Sequence, residues 1–390
     1  MRKIFFKENI LFLIIYGFSL IFSAFLIRAI YPIQLQSQKP IFFDLTELNV
    51  IIPFWLVYFA GSINIFLIWL IAKRFIVGHL ALIPVLIYCL SPWSFYLIVA
   101  NSFYVYLVTF ILITFQGVLL IKSNRYRWGM AAFILGSILF LYSSVLSILI
   151  YPIIIAELSL IKFVSFKKIR LALFIISFLC LPLLIATFKN QVGTGNIYNN
   201  QVALFKDPGH MNAVNVFQGE SRKAGNSFLT KLGENRYLYL SKYALFKAIK
   251  HFTPSTYFTS QEGLLKFSFS PPIYFGFLVP FLYSLYLIFK SPTLRKGLAV
   301  SFILLIPSFV SKSLVNLDRL VLFEPVIVFV ISLGMIKIIQ NRKEKIFKSM
   351  LFLIIFFVSI QFLVTVFDIN FREYARYDRY LGGALQIGEQ

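Results

Sequence analysis

The stretch Lys348-Ser-Met-Leu-Phe-Leu-Ile-Ile-Phe-Phe-Val-Ser-Ile-Gln-Phe-Leu-Val-Thr-Val-Phe367 carries a charge only at its first position. At 1.5 Å per residue, a helix of this length crosses about 30 Å of hydrocarbon. The chain as a whole has a similar character, with 59% hydrophobic and 13% charged residues. Soluble domains have about 45–50% apolar and about 25% charged residues. The sequence therefore predicts an all-α, polytopic integral membrane protein.

Apolar runs of about this length recur along the chain and predict about eleven transmembrane helices. We place them at 10–31, 50–72, 79–99, 101–122, 128–146, 147–163, 169–188, 271–290, 297–315, 319–339 and 348–367. They divide the chain into a membrane module at 1–188, a large loop at 189–270, a second membrane module at 271–367 and a tail at 368–390. Around 142–152, either a tight turn between two spans or a kink in one long helix fits the sequence.

The basic residues assign the two sides of the membrane. Cytoplasmic connections are rich in Lys and Arg, and 20 of the 37 basic residues here fall into alternate short connections, whereas the short connections on the other side hold Lys39, Lys312 and Arg319. They are Arg2, Lys3, Lys7, Lys73, Arg74, Lys122, Arg125, Arg127, Lys162, Lys167, Lys168, Arg170, Lys290, Arg295, Lys296, Lys337, Arg342, Lys343, Lys345 and Lys348. This pattern predicts a cytoplasmic N-terminus and an outer C-terminus. The net charge of +22 is then explained by the membrane topology and by contact with anionic lipid headgroups. We therefore expect no nucleic acid partner.

The loop at 189–270 is predicted to lie outside. Between Asn226 and Phe252, apolar residues recur at helical spacing, which is typical of an amphipathic helix on the membrane surface. These residues are Leu229, Leu232, Tyr237, Leu240, Tyr243, Leu245 and Ile249.

Two carboxylates, Asp44 and Glu47, stand in the first outer loop. They are three residues apart and would share one face of a helical turn. A carboxylate here could accept a proton from an acceptor hydroxyl, which makes both residues candidate catalytic groups. The alternative is a capping box, with Asp44 capping the second span and Glu47 in its first turn.

A second charged cluster lies at the outer beginning of the tenth span. Lys312 and Arg319 could bind an anionic lipid phosphate, for which the guanidinium group is well suited. Glu324 lies inside the apolar run, where a carboxylate is costly and is by default a functional candidate. The alternative is structural, with Asp318 pairing with Arg319, and Glu324 pairing with Arg28 or Lys312.

Other candidate chemistry is sparse. No nucleophile elbow, P-loop, zinc-protease or C-x-x-C motif occurs in the sequence. The three histidines, His79, His210 and His251, are scattered, so we predict no metal site, although a need for a divalent metal stays open.

Four short segments resemble the GT-C superfamily of membrane glycosyltransferases, in particular enzymes that use dolichyl- or polyprenyl-phosphate sugars, such as mannosyltransferases and aminoarabinose transferases. They are Leu90-Ser91-Pro92-Trp93, Leu141–Ser144 followed by Tyr151-Pro152, His251–Phe258 followed by Gly263 and Pro271-Pro272, and Arg319 with Pro325. The first outer loop with Asp44 and the large loop after the seventh span also resemble this family.

The resemblance implies a sugar transfer from a polyprenyl-phosphate donor to a glycan, lipid or protein acceptor at the outer face of the cytoplasmic membrane. Asp44, supported by Glu47, would be the general base. Arg319 or Lys312 would hold the lipid phosphate, and Arg28, Glu324 and His251 would complete the substrate site. No cofactor other than the lipid-linked donor is implied.

Asp44 is followed by Leu45, where family members usually have Glu, and the first outer loop is short. A catalytically degenerate relative of these enzymes therefore stays open. The sequence also leaves open a transporter or flippase of lipid-linked glycans, and a polymerase or ligase of surface polysaccharide.

Overall fold

The structure is a computed structural model, and it describes residues 8–21, 41–42, 49–50, 54–94, 104–143, 151, 170–182, 185, 212, 215–216, 223, 236–259, 271–309, 317–341 and 344–367. These residues are almost entirely helical, which confirms the predicted fold class in its main feature. The exception is one antiparallel pair of two-residue strands, β1 (Ile41–Phe42) and β2 (Asn49–Val50).

The first membrane module contributes six helices to the described residues. They are α1 (Glu8–Ile21), α2 (Phe54–Phe75), α3 (Leu82–Leu90, preceded by a 3-10 turn at Gly78–Ala81), α4 (Tyr104–Lys122), α5 (Tyr126–Ser143) and α6 (Arg170–Pro182). The large loop contributes α7 (Arg236–Phe252) and α8 (Ser255–Phe258).

The second membrane module begins with α9 (Leu278–Lys290) and α10 (Pro292–Ser301), and their combined segments bend by 117° at this junction. It continues through 3-10 turns at Phe302–Leu305 and Val321–Phe323 and the short helices α11 (Ile306–Phe309) and α12 (Leu317–Leu320). It ends with the long helices α13 (Glu324–Gln340) and α14 (Lys345–Phe367).

Four of the described helical segments are long and apolar enough to cross a membrane, or five if the bent pair forms one span. The four are Leu56–Phe75, Tyr104–Lys122, Val321–Gln340 and Lys345–Phe367. Their bounds agree with four predicted spans to within a few residues. Helices α1, α5 and α6 and the segment Gly78–Leu90 are apolar but shorter in the part of the chain that is described.

Helix α13 is central and α14 is peripheral. In the most apolar 18-residue stretch of Val321–Gln340, 67% of the residues are buried inside the protein. The corresponding fraction for α14 is 17%. Helix α13 contacts α3 of the first module as well as α9 and α14 of the second. The outward side chains of α14 include Phe352, Ile355 and Leu363, which is the surface that a lipid-facing helix presents.

The third predicted span is wrong in one respect, because residues 79–99 do not form one helix. Helix α3 ends at Leu90, and Ser91 is extended with φ −62° and ψ 123°. Pro92 explains the break: its ring disfavours the helical conformation of the preceding residue, and proline lacks the N–H that would continue the ladder.

The kinked-helix alternative around 142–152 is also wrong. The Tyr151 hydroxyl donates a hydrogen bond to Ser137 Oγ at 2.6 Å. In one continuous helix these residues would be separated by about 21 Å along the axis. A kink of ordinary size does not close that distance, so Tyr151 lies back against α5 and does not extend it.

Close contacts between helices depend on glycines. Helices α4 and α5 form an antiparallel pair in which a Cβ atom on Gly117 would lie 2.5 Å from the backbone nitrogen of Phe133. Gly334 of α13 lies against the Pro280 carbonyl of α9, and Ser284 of α9 donates to the Val330 carbonyl at 2.5 Å. In lipid, no hydrophobic driving force brings helices together, and their association depends on close packing. Small residues permit this close approach of the helix backbones.

Replacing Gly334 with alanine tests this packing. A Cβ atom there would overlap the Pro280 carbonyl oxygen and lie 2.5 Å from Ser284 Oγ, so we expect a loss of about 1–3 kcal/mol. Gly297→Ala is the matched control, because Gly297 is exposed in α10 with no atom within 4 Å of the added carbon. It should be neutral or stabilising by up to about 1 kcal/mol. Thermal unfolding in detergent measures both, and equal melting temperatures would contradict the close approach.

Candidate functional site

The break at Ser91 places a hydroxyl group at the contact between the two membrane modules. Ser91 Oγ lies 3.1 Å from Glu324 Oε1 and 3.1 Å from the Pro272 carbonyl oxygen, and it can donate to either. The N–H of Trp93 also donates to the Pro272 carbonyl, at 3.1 Å. The segment Ser91–Trp93 is therefore bonded both to the start of α13 and to the chain before α9.

Glu324 is fully buried and begins α13. The hydroxyl of Ser91 is the side-chain group that stabilises a carboxylate here, whereas the backbone N–H of Glu324 is already bonded to the Val321 carbonyl of the preceding 3-10 turn. Its second oxygen, Oε2, has no hydrogen-bond partner among the described residues. The carboxylate thus retains capacity to accept a hydrogen bond.

A third segment joins this contact from the large loop. The N–H of Ile273 donates to the Tyr257 carbonyl at 2.9 Å, and the Tyr257 hydroxyl donates to the His251 carbonyl at 2.7 Å. The Tyr257 ring lies between Trp93 and Phe323, with ring centroids 6.4 and 6.3 Å away. Tyr257 therefore connects α7 with the Ser91–Glu324 contact.

His251 fixes α7 against the second module. Its Nδ1 lies 2.7 Å from the Lys247 carbonyl, which can only accept, so Nδ1 carries the proton. Its Nε2 therefore accepts from the Ser308 hydroxyl at 2.8 Å. Burial is the main cause that lowers the pKa of His251, and it favours this neutral form. Both ring nitrogens are occupied, and a direct role of His251 in substrate binding stays a prediction.

Lys247, one turn before His251, is fully buried. Burial lowers the pKa of Lys247 to about 8, and the nearby positive charge of Arg319 adds to the effect. Arg319 is half-buried on α12, five residues before Glu324. Two basic side chains from different segments thus lie near each other at the edge of the site. This arrangement favours the binding of an anion.

The sequence did not identify Lys247. The predicted amphipathic helix drew attention to its apolar positions, and the described helix occupies Arg236–Phe252. Lys247 and His251 are four residues apart and share one helical face, which lies opposite Leu245 and Ile249 but also carries Leu240 and Tyr243. The spacing of a lysine and a histidine on one helical face could have predicted this contact. If the opposite face lies on lipid, the face with Lys247 and His251 must pack against the protein.

The predicted site residues divide into two groups. The structure brings Arg319, Glu324 and His251 into one region, together with Ser91 and Lys247. Asp44, Glu47, Lys312 and Arg28 lie outside the described residues. The same holds for the side chain of Asp318, so the proposed ion pairs of these residues stay predictions.

The capping-box alternative for Asp44 and Glu47 stays a prediction, because both residues lie outside the described part of the chain. The described residues nearby are strand β1, strand β2, which pairs with it, and α2, which begins at Phe54.

Within the described residues, no group of three or more His, Cys, Asp or Glu side chains could hold a metal ion. The described site residues can supply hydrogen bonds from Glu324 and Ser91 and positive charge from Lys247 and Arg319.

Comparison with protein-family models finds no match, and comparison with curated proteins finds no significant match. The resemblance to membrane glycosyltransferases thus depends on the short segments alone.

The pH dependence of stability tests the burial of Lys247. Its pKa of about 8 in the folded protein lies below the ordinary value of about 10.4. Between these values the unfolded chain binds more protons, so Lys247 makes the free energy of unfolding rise with pH. The total rise is at most about 3 kcal/mol.

Lys247→Met should remove this rise between about pH 8 and about pH 10.4 and stabilise the protein near pH 7. Lys242→Met, on an exposed position of the same helix, is the control and should keep the wild-type slope. Thermal unfolding across this pH range measures both, and an unchanged slope in Lys247→Met would contradict the buried position.

Proposed function

We propose that the protein is a GT-C-like glycosyltransferase, which moves a sugar from a polyprenyl-phosphate donor to an acceptor at the outer face of the cytoplasmic membrane. One observation carries the proposal. Three of the four segments that resemble the family, which are far apart in the sequence, meet around Glu324. A functional site common to these segments explains their convergence, whereas scattered chance similarities would have no reason to meet.

The proposed site holds the donor by its phosphate. Lys247 and Arg319 supply positive charge from two segments, and Lys312 belongs to the same part of the chain as Arg319. Positive charge at the phosphate stabilises the leaving group as the bond to the sugar breaks. Glu324 is fully buried and hydrogen-bonded to Ser91, so it holds together the segments that line the proposed site, and a direct contact with the sugar stays a prediction.

The reaction itself is a displacement at the anomeric carbon. The acceptor hydroxyl oxygen forms the new bond to this carbon, and the bond from the carbon to the phosphate oxygen breaks. Polyprenyl phosphate leaves with that electron pair, and the hydroxyl proton passes to the Asp44 carboxylate, with Glu47 nearby in the chain. Arg28 is a further candidate substrate contact.

The topology that this function needs is eleven spans, with the N-terminus in the cytoplasm and the C-terminus outside. The distribution of basic residues supports it, because it assigns Asp44, Arg319 and the 189–270 loop to one side. The buried carboxylate begins its helix near one end of a span, which favours chemistry at the membrane surface over transport through the bilayer midplane.

Reporter fusions test this topology. Alkaline phosphatase, which is active only outside the cytoplasm, should be active when fused after Gln390 and inactive when fused after Lys343. A cytoplasmic fluorescent reporter should give the opposite pattern. An active phosphatase at both positions, or at Lys343 alone, would refute the proposed arrangement.

Sugar transfer in membranes tests the function. With a labelled polyprenyl-phosphate sugar, Asp44→Asn should reduce transfer by about 100-fold or more, because the acceptor proton loses its base. Lys247→Met and Arg319→Gln should raise the KM for the donor by roughly tenfold each, the effect of about 1.4 kcal/mol of binding. Lys242→Met and Arg295→Gln are the matched controls, since both residues are exposed and outside the site.

Equal transfer by wild type and Asp44→Asn would remove Asp44 from the mechanism. If the wild type instead moves a lipid-linked glycan across vesicles without transferring sugar, the chain is a transporter and the proposal fails.

A further inference from the structure

Helix α7 turns its apolar side chains away from the protein. Leu245, Ile249 and Phe252 are 64%, 56% and 53% exposed, and Leu238, two turns before Leu245, is 40% exposed. These positions are separated by seven, four and three residues, so they form one stripe along the helix. Phe246, 50% exposed, widens this stripe on one side.

The face of the same helix that meets the protein carries two polar residues at its most buried positions. Lys247 and His251 are both buried, and His251 is bonded to Ser308 of α11. A helix on the surface of a soluble protein has the opposite arrangement, with its apolar stripe against the core. The contacts of His251 fix the rotation of α7, so the outward stripe is a property of the fold.

The charges on α7 indicate what covers the stripe. Apart from the inward pair Lys247 and His251, the charged residues of the helix are Arg236, Lys242 and Lys250, all basic, and the helix contains no acidic residue. Lys242 is exposed, and Lys250 places its amino group 5.9 Å from the centre of the Phe246 ring. Lysines that extend along apolar side chains towards a polar boundary are typical of helices at a lipid interface. Anionic headgroups complement this charge.

We propose that α7 lies in the headgroup region of an anionic bilayer leaflet, with Leu245, Ile249 and Phe252 inserted, and that this contact holds Lys247 and His251 against the second membrane module. The same chain has helices of membrane-crossing length, so a bilayer surrounds part of the protein and is available to this surface. The interaction requires only the position of α7 and holds whether or not the site transfers sugar.

Site-directed fluorescence on the full-length protein tests the proposal. Single cysteines replace Leu245, Phe246, Ile249, Lys250 and Phe252 in turn, in a background with Cys89→Ala and Cys180→Ala, and each carries an environment-sensitive NBD label. The protein is reconstituted in phosphatidylcholine vesicles with and without phosphatidylglycerol. Quenchers are a lipid brominated on its acyl chains and aqueous iodide.

Labels at 245, 249 and 252 should emit at shorter wavelength and lose most of their fluorescence to the brominated lipid. The label at 250, about 100° around the helix from 249, is the matched control and should be quenched mainly by iodide. The depth of the stripe should increase when phosphatidylglycerol is present.

Uniform quenching by iodide at all five positions would place the stripe in water and overturn the proposal. Protection from both quenchers, with a disulfide between two chains carrying Ile249→Cys, would show that a second copy covers the stripe and would overturn it equally.

Discussion

The buried carboxylate of Glu324 is the constraint on which the architecture depends. An ionisable group in an apolar interior must be compensated, because burial without partners costs several kcal/mol. The Ser91 hydroxyl supplies this compensation as a hydrogen bond from 233 positions away in the chain. Satisfying Glu324 therefore requires that α13 and the end of α3 meet, which joins the two membrane modules.

The meeting point also organises the large loop. Ser91 and Trp93 share the Pro272 carbonyl, Ile273 bonds Tyr257, and Tyr257 bonds the carbonyl of His251. Each hydrogen bond fixes the position of one segment relative to the next. The last of them fixes α7 so that Lys247 faces the protein interior. The position of the basic pair Lys247 and Arg319 is thus a consequence of the same chain of contacts, as is the apolar face that α7 turns outward.

Much of the helical framework could be predicted from sequence because it depends on local properties. The predicted spans 101–122 and 348–367 correspond to Tyr104–Lys122 and Lys345–Phe367, and the cost of a charge in an apolar run identified Glu324. Lys247 and the partner of Glu324 depend on tertiary contacts between distant segments, which no local pattern encodes. Pro92 could have predicted the break at Ser91, but the apolar residues on both sides of it favoured one continuous span. The number of helices that cross the membrane and their orientation depend on the position of the bilayer, which the protein contacts do not determine.

A double-mutant cycle between Ser91 and Glu324 tests the central contact most directly. The free energy of unfolding in detergent is compared for wild type, Ser91→Ala, Glu324→Met and the double variant. We predict a coupling of about 1.5–3 kcal/mol, because removing the hydroxyl leaves a buried carboxyl group without its side-chain hydrogen bond only while Glu324 is present. Ser137→Ala paired with Glu324→Met should be additive, since Ser137 bonds Tyr151 elsewhere. Additive effects of Ser91→Ala and Glu324→Met would contradict the account.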